Sequence, residues 1–402
     1  MKYSGKFEIK KKLNAAFENA FRAFAVWLLS LIARVKFRAV KVLEDGALDE
    51  KAVLLGSHLS IWDFCFLEFA LAPRRVRFVA TSIEFEKNRA YAWMLRALGV
   101  IPKMQGAADA ACVRAMLRAG QAGDVVAFYP QGMTSHDGRP AWRVQPGTGK
   151  LVRMMGASVY VALSDGSFLS HPRYAHASFR GRVEVHVKRL LTAEEARALT
   201  GEEVQARIEE ALNYNEWTWQ EQARVPFYPR KRVKGVTHTL YMCPDCRVLG
   251  GMEEVGKTKV HCKVCGMTAE RDQFGFFHAL SGSCPTRMDE WVDIELDRLR
   301  EEMKKDDFAL CAPVTLMRPT GRGAGYASTD EGQLTLTVNE LNYMGQKENI
   351  TWKPEEFQYF VMNDVDFLHI YAVNGAYRFR FADPRLITRW FYAQRMMSEE
   401  RT

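Results

Sequence analysis

The sequence predicts an α/β protein, an open sheet with flanking helices, followed by a four-cysteine ribbon and a small β domain. Three observations carry that reading. Short apolar runs alternate with helical stretches from about Lys51 to Arg232, as strands and their crossover helices do. Beyond Arg232, two Cys-x2-Cys pairs crowd together. Farther on, Leu334, Leu336 and Val338 alternate with polar neighbours, as do Tyr377, Phe379 and Phe381, at the period of two that marks a strand.

The elements follow in order. Residues 1–45 read as a basic, amphipathic membrane-interface helix. Leu13, Phe17, Phe21, Phe24, Leu28 and Leu31 recur on one face, while Asn14, Glu18 and Arg22 mark another. The uncharged stretch Ala23–Ala33 lies between Lys10, Lys11 and Lys12 on one side and Arg34, Lys36 and Arg38 on the other. It is too short to cross a bilayer and suits a helix lying in the interface. Docking on the protein's own core is the alternative. Residues 46–232 form the α/β domain. Its expected strands are Ala52–Gly56, Val76–Thr81, Val125–Tyr129, Ser158–Leu163 and Val183–Val187. Its expected helices are Trp62–Leu71, Arg89–Leu98, Ala108–Ala119, Gly147–Met155 and Gly201–Leu212. Residues 233–285 form the ribbon, and 286–307 a linker helix over about Met288–Lys304. Residues 308–402 form the β domain, closed by a helix that contains Trp390, with Pro384 at its first position.

With 402 residues, 48% of them hydrophobic and 26% charged, the chain has material for two or three packed units and is not mainly disordered. No run approaches the roughly 20 apolar residues of a membrane span, which excludes a multi-span protein. The net charge of +8 favours an anionic partner, whether nucleic acid, a membrane surface or a phosphorylated substrate. No cleavable signal peptide is expected, and the cysteine pairs fit a reducing compartment.

Gly56-Ser57-His58-Leu59-Ser60-Ile61-Trp62-Asp63 leaves a strand and enters a helix. Residues just past the carboxyl end of such a strand line the crevice where ligands bind. His58 and Asp63 have the parts of a general base and the carboxylate that orients it. Five residues do not share a helix face, so His58 must precede the first turn with the chain folding back. The competing reading makes Ser60 and Asp63 a helix-capping box. Two loops follow later strands and helices: Gly99-Val100-Ile101-Pro102-Lys103, and Phe128 to Ser135 with Pro130, Gln131, Gly132, Thr134 and Ser135. The second can offer backbone N–H groups and short donors to a phosphate or oxyanion, although Pro-x-Gly is also an ordinary turn.

In this order and spacing the segments resemble the glycerolipid acyltransferases, specifically bacterial lysophosphatidate (1-acylglycerol-3-phosphate) acyltransferases. The resemblance covers about residues 50–225 and rests on His58-x4-Asp63, Gly99 to Lys103, Phe128-Tyr129-Pro130-Gln131-Gly132 and the strand Val159–Leu163. It extends to a bacterial subgroup with a cysteine ribbon behind the catalytic domain. Two positions depart from the family pattern. Gln131 replaces a glutamate, with Tyr129 inserted before the proline, and Gln105 stands near the place of an arginine. The resemblance implies acyl transfer from acyl-CoA or acyl-ACP (acyl carrier protein) to a lysophospholipid hydroxyl at an anionic membrane surface. His58 would be the base and Asp63 its partner, with no metal in the reaction. Lys103, Arg114, Lys150 and Arg173 are the candidate phosphate cations; Pro130, Gln131, Gly132, Thr134 and Ser135 complete the substrate loop.

Cys243, Cys246, Cys262 and Cys265 form two knuckles fifteen residues apart, spacing suited to a structural tetrahedral zinc ion. Iron is the minor alternative. His261 reads as a neighbour, and Cys284 and Cys311 as buried thiols. The β domain with its C-terminal helix resembles a pleckstrin-homology (PH) or GRAM barrel. His136, His171, His176 and His186 show no carboxylate at a telling spacing and read as ordinary histidines. The basic tract Arg173–Arg189 admits nucleic acid, but that reading explains neither His58-x4-Asp63 nor the uncharged N-terminal stretch. A lipid-binding protein that has kept the fold and lost activity through Gln131 is the stronger alternative.

Overall fold

Ala52–Gly56 is buried along its whole length, as expected of a strand with neighbours on both sides and helices on both faces. Its alternating side chains divide between two cores. Ala52 and Leu54 pack with Phe66, Phe69 and Phe37, while Val53 and Leu55 pack with Val152, Val204 and Ile208. The computed structural model of the chain describes residues 2–104, 109–320, 326–364 and 366–399, with backbone alone at 2–15, 358, 359, 363 and 364. Gln105 and the side chains of Lys10, Lys11, Lys12, Leu13 and Asn14 therefore lie outside the described set.

The described chain divides into two units. The first comprises Met1–Gly132, Trp142–Ser167 and Arg182–Tyr214; the second comprises Met133–Ala141, Phe168–Gly181 and Asn215–Thr402.

The first unit holds a seven-stranded sheet of β1 (Val40–Leu43), β2 (Ala52–Gly56), β3 (Val76–Thr81), β4 (Ile101–Lys103), β5 (Val125–Phe128), β6 (Ser158–Asp165) and β7 (Glu184–Leu191). Its order is β1-β7-β6-β2-β5-β3-β4. All pairings are parallel except β6 with β7. Helices α1 (Lys2–Lys36), α2 (Asp63–Leu71), α3 (Arg89–Leu98), α4 (Ala110–Gln121), α5 (Thr148–Met155), the single turn α6 (Ser167–Ser170), α7 (Ala193–Ala198) and α8 (Gly201–Ala211) complete the series. The five expected strands and five expected helices are present within two residues at most ends. The exception is β7, which runs four residues beyond Val187. Strands β1 and β4 were not foreseen. β1 is mostly exposed and sits in a basic stretch, and β4 is three residues long and contains Pro102.

The N-terminal element is one continuous helix. Within it, Ala16–Lys36 is long and apolar enough to cross a membrane by length and composition, which corrects the expectation of a stretch too short to do so. Counting only the uncharged run stopped the estimate at charges that the helix simply continues through. One face packs on the unit: Ala33 and Phe37 are fully buried, Phe21 meets Trp93 at 5.0 Å, and the Cys65 thiol donates to Leu29 O. Much of the apolar face faces outward, as in the interface reading, while the face marked by Arg22 turns partly inward. Arg22 is half-buried and lies near Glu68, whereas Phe17 (62%), Phe24 (57%), Trp27 (58%) and Leu31 (42%) are exposed.

The second unit contains α9 (Glu216–Ala223), α10 (Met288–Met303), α11 (Leu386–Glu399) and two antiparallel sheets. The four-stranded sheet is β8 (Met252–Val255), β9 (Lys259–Cys262), β10 (Thr268–Arg271) and β11 (Phe277–Ser281). The seven-stranded sheet is β12 (Leu310–Pro319), β13 (Tyr326–Leu336), β14 (Leu341–Gly345), β15 (Asn349–Trp352), β16 (Phe357–Asp364), β17 (Phe367–Ala372) and β18 (Gly375–Phe381). Its order is β15-β14-β13-β12-β18-β17-β16, so the first strand pairs with the last. Trp390 of α11 meets Phe381 edge-on at 5.4 Å. Pro384 precedes α11 by two residues and is not its first helical residue. Asp383 instead turns the chain, accepting from Arg385 N. Helix α10 is more than a linker: Trp291 is fully buried, and Glu295 accepts from Met242 N. Cys311 is exposed and Cys284 half-buried, so neither is the buried thiol expected. An outward-facing strand position explains the first.

Candidate active site

Strands β6, β2 and β5 are adjacent and parallel, so the chain leaves all three at the same edge of the sheet. That geometry places His58 (after β2), Tyr129 (after β5) and Ser167 (after β6) together.

Asp63 opens α2 and is fully buried. Its Oδ2 faces His58 Nδ1 at 3.0 Å and accepts from Leu59 N at 2.7 Å and Ser60 N at 2.9 Å. Its Oδ1 accepts from Ser167 Oγ at 2.5 Å. A carboxylate facing Nδ1 holds the imidazole in one tautomer, with hydrogen on Nδ1 and Nε2 able to accept. The capping-box reading is half realised. Ser60 N binds Asp63, but Ser60 Oγ accepts from Trp62 N, and the Asp63 amide bonds to Ser60 O. One carboxylate thus ties the turn and orients the histidine.

The His58 side chain is 23% exposed, so its free edge is accessible. Its ring lies flat on Tyr129, 4.3 Å between centroids and 16° between planes. Tyr129 in turn packs on Gly56, where a Cβ would fall 2.6 Å from the tyrosine ring. Burial, reinforced by Asp63, Cys65 and Glu68, pushes the Tyr129 phenol well above its usual range, and its buried hydroxyl has no partner among the described residues. Tyr129 is therefore a neutral platform for the imidazole. Glu68, one helical turn beyond Asp63, is pushed up to about 7 by burial, with Arg22 opposing that shift.

The remaining candidates do not all converge here. Pro130 and Gln131 are buried and Gly132 is exposed with φ +71° in the turn after β5. Gln131 Oε1 is buried without a partner among the described residues. Thr134 and Ser135 belong to the second unit, where Thr134 accepts from Arg173 at 2.7 Å. Ser135 Oγ accepts from Asp137 N and Gly138 N, within its own turn. Lys150 pairs with Glu202 across an exposed helix face, and exposed Lys103 donates to Met104 O. Neither makes a hydrogen bond or ion pair with His58 or Asp63. Arg114 is exposed on α4.

Ser167 was not foreseen as a site residue. It lies 104 residues from Asp63, and only the strand order unites them. Among the histidines, His136 is buried and held well below its usual pKa range by burial, His171 bonds Ser178 and His176 is exposed. His186 corrects the expectation, since Asp165, Glu184 and Glu44 surround it. Those carboxylates come from different strands and loops, so spacing along the chain hid most of them.

In the second unit, Cys243, Cys246, Cys262 and Cys265 bring their sulfurs within 4.8 Å of one another. The Cys243–Cys265 and Cys246–Cys262 separations are both 3.7 Å. A tetrahedron with 2.3 Å zinc–sulfur bonds has edges of about 3.8 Å. The donor set therefore fits a closed, structural metal site. The two knuckles are alike: Arg247 (φ 58°) and Gly266 (φ 79°), each just after the second cysteine, share a left-handed backbone. His261 bonds Thr268 and stands apart from the sulfurs.

Among solved structures, the chain is similar to the 1-acyl-sn-glycerophosphate (LPA) acyltransferase PlsC of Thermotoga maritima. That match has 16% identity and a TM-score of 0.41, covering 50% of this chain and 81% of that one. It is also similar to the N-terminal PH domain of human ARAP2, with 6% identity and a TM-score of 0.21, covering 24% and 85%. A third is the PH domain of human oxysterol-binding protein-related protein 11, with 14% identity and a TM-score of 0.19, covering 24% and 84%. No curated protein matches the chain. Residues 34–163, which carry His58, Asp63 and Tyr129, match the family model described as Acyltransferase, and this part of the chain is acyltransferase-like.

Proposed function

We propose that the protein transfers a fatty acyl group from acyl-CoA or acyl-ACP to the free hydroxyl of a lysophospholipid, 1-acylglycerol-3-phosphate in the first instance. The observation that carries this reading is the His58–Asp63 pair, with Nδ1 tied to a buried carboxylate and Nε2 left open. His58 Nε2 takes the hydroxyl proton as that oxygen attacks the thioester carbonyl. The tetrahedral adduct then collapses, the ester forms, and the departing thiolate takes the proton back from the imidazolium. Asp63 stabilises the imidazolium between the two steps, and no further group enters the balance.

The exposed apolar face of α1 supports attachment to the cytoplasmic face of a membrane, where a lysophospholipid is presented. The four cysteines are read as a structural zinc site of a bacterial subgroup, and the seven-stranded sheet with α11 as a PH/GRAM-like module. Gln131 favours a second reading, a lipid-binding protein without turnover, because a neutral buried amide stands where the family has a carboxylate.

The test is thioester release and product formation with a panel of lysophospholipids and both donors. Wild type is expected to turn over, and His58→Ala to lose about 10²–10⁴-fold while remaining folded. Equal rates in the two proteins would remove the enzyme reading; liposome binding without turnover would favour the second.

A further inference from the structure

Asp165 ends β6 and Glu184 opens β7, directly opposite each other in the antiparallel pair, and His186 lies two residues along on the same face. His186 Nε2 is 3.4 Å from Asp165 Oδ2 and 3.6 Å from Glu184 Oε2. These separations exceed the 2.7–3.2 Å typical of nitrogen–oxygen hydrogen bonds. They match the edges, about 3.3–3.6 Å, of a tetrahedron whose nitrogen and oxygen ligands lie 2.0–2.2 Å from a central zinc ion. The three ligand atoms all lie within 4.8 Å of one another.

A second observation is independent of those spacings. The outward oxygen of each candidate carboxylate is already engaged, which leaves the inward one available. Tyr214 OH donates to Asp165 Oδ1 at 2.5 Å, and Arg182 lies 2.6 Å from Glu184 Oε1. Glu44 Oε1 faces His186 Nδ1 at 3.5 Å. In zinc sites the ligating carboxylates are oriented by outer partners of this kind, while Glu44 stands at ion-pair distance only.

From this arrangement we infer a second metal site, separate from the four cysteines, in which Asp165 Oδ2, Glu184 Oε2 and His186 Nε2 bind a zinc-type divalent cation and a solvent molecule completes the shell. The His186 side chain is 29% exposed, so an ion can enter from solvent. Bound there, the ion joins β6 to β7, and through Glu44, the residue after β1, it engages the outermost strand as well. The inference stands apart from the acyl-transfer reading, since its readout is metal content.

The test is equilibrium dialysis of the full-length protein against Zn²⁺, with elemental analysis, followed by the visible spectrum of the Co²⁺ form. Wild type is expected to retain one thiolate-bound ion plus one more, the second giving cobalt bands free of sulfur charge transfer. Asp165→Asn and His186→Gln should each lose the second ion and keep the first, with melting curves like those of wild type. Equal stoichiometry in wild type and His186→Gln would overturn the site and leave His186 an ion-pair partner only.

Discussion

Ser167 Oγ donates to Asp63 Oδ1, the oxygen that His58 does not use. The aspartate is therefore held from opposite sides by Ser167, past β6 and 104 positions from it, and by His58, past β2. Ser167→Ala removes a hydrogen bond to a charged, buried group, worth about 1.5–3 kcal/mol. Under the proposed mechanism that is roughly a 10–150-fold fall in kcat with KM little changed, because Ser167 positions Asp63 and does not touch substrate. Steady-state kinetics separate the two parameters. A change confined to KM would place Ser167 in substrate binding instead.

Gly56→Ala should damage the site without touching a polar group. The added methyl would fall 2.6 Å from the Tyr129 ring and displace it from beneath His58. Overpacking of this kind costs about 1–3 kcal/mol. Adding Tyr129→Leu to Gly56→Ala should recover part of that stability but not the stacked platform. Thermal melts and activity of the two single variants and the double variant read the coupling.

Glu68 gives the first unit a pH-dependent stability. Its carboxyl is raised from an ordinary 4.5 to about 7, burial being the main cause. Between those values the folded protein keeps a proton that the unfolded chain has released. Stability contributed at low pH is thus lost as pH rises toward 7, by on the order of 2–3 kcal/mol. Glu68→Gln should flatten this slope and melt higher than wild type at pH 8. Denaturation curves at pH 5 and pH 8 measure it, and parallel behaviour of the two proteins would contradict the assignment.

For the cysteine site, Cys243→Ser is expected to release the thiolate-bound metal and loosen β8–β11, while Arg247→Gly should be tolerated or stabilising. The second follows because Arg247 holds a left-handed backbone that glycine adopts more readily, a difference of about 1 kcal/mol. Cobalt charge-transfer bands and melting curves report both.

Much of this was legible in the sequence because the signals are local. Ala52–Gly56 is a short apolar run of a strand's length, and His58 and Asp63 lie five residues apart. The two cysteine knuckles announce through spacing alone a four-sulfur cluster that could hold a metal. What stayed hidden depends on strand order. Ser167 meets Asp63, and His186 meets Asp165, only because β6 lies between β2 and β7. Tyr129 was visible as an insertion in a motif, but its work as a ring platform requires knowing that Gly56 lies beneath it. The N-terminal helix misled for another reason. Its uncharged run is short, yet the helix carries its apolar character on through the flanking charges, over Ala16–Lys36.

Gly166, with φ +81°, is the single residue between Asp165 and Ser167. The proposed ion seat and the clasp on Asp63 therefore stand one residue apart. A wrench applied at the sheet's rim has almost no slack chain to absorb it before reaching Asp63. Replacing Gly166 by any residue with a side chain would strain both neighbours at once.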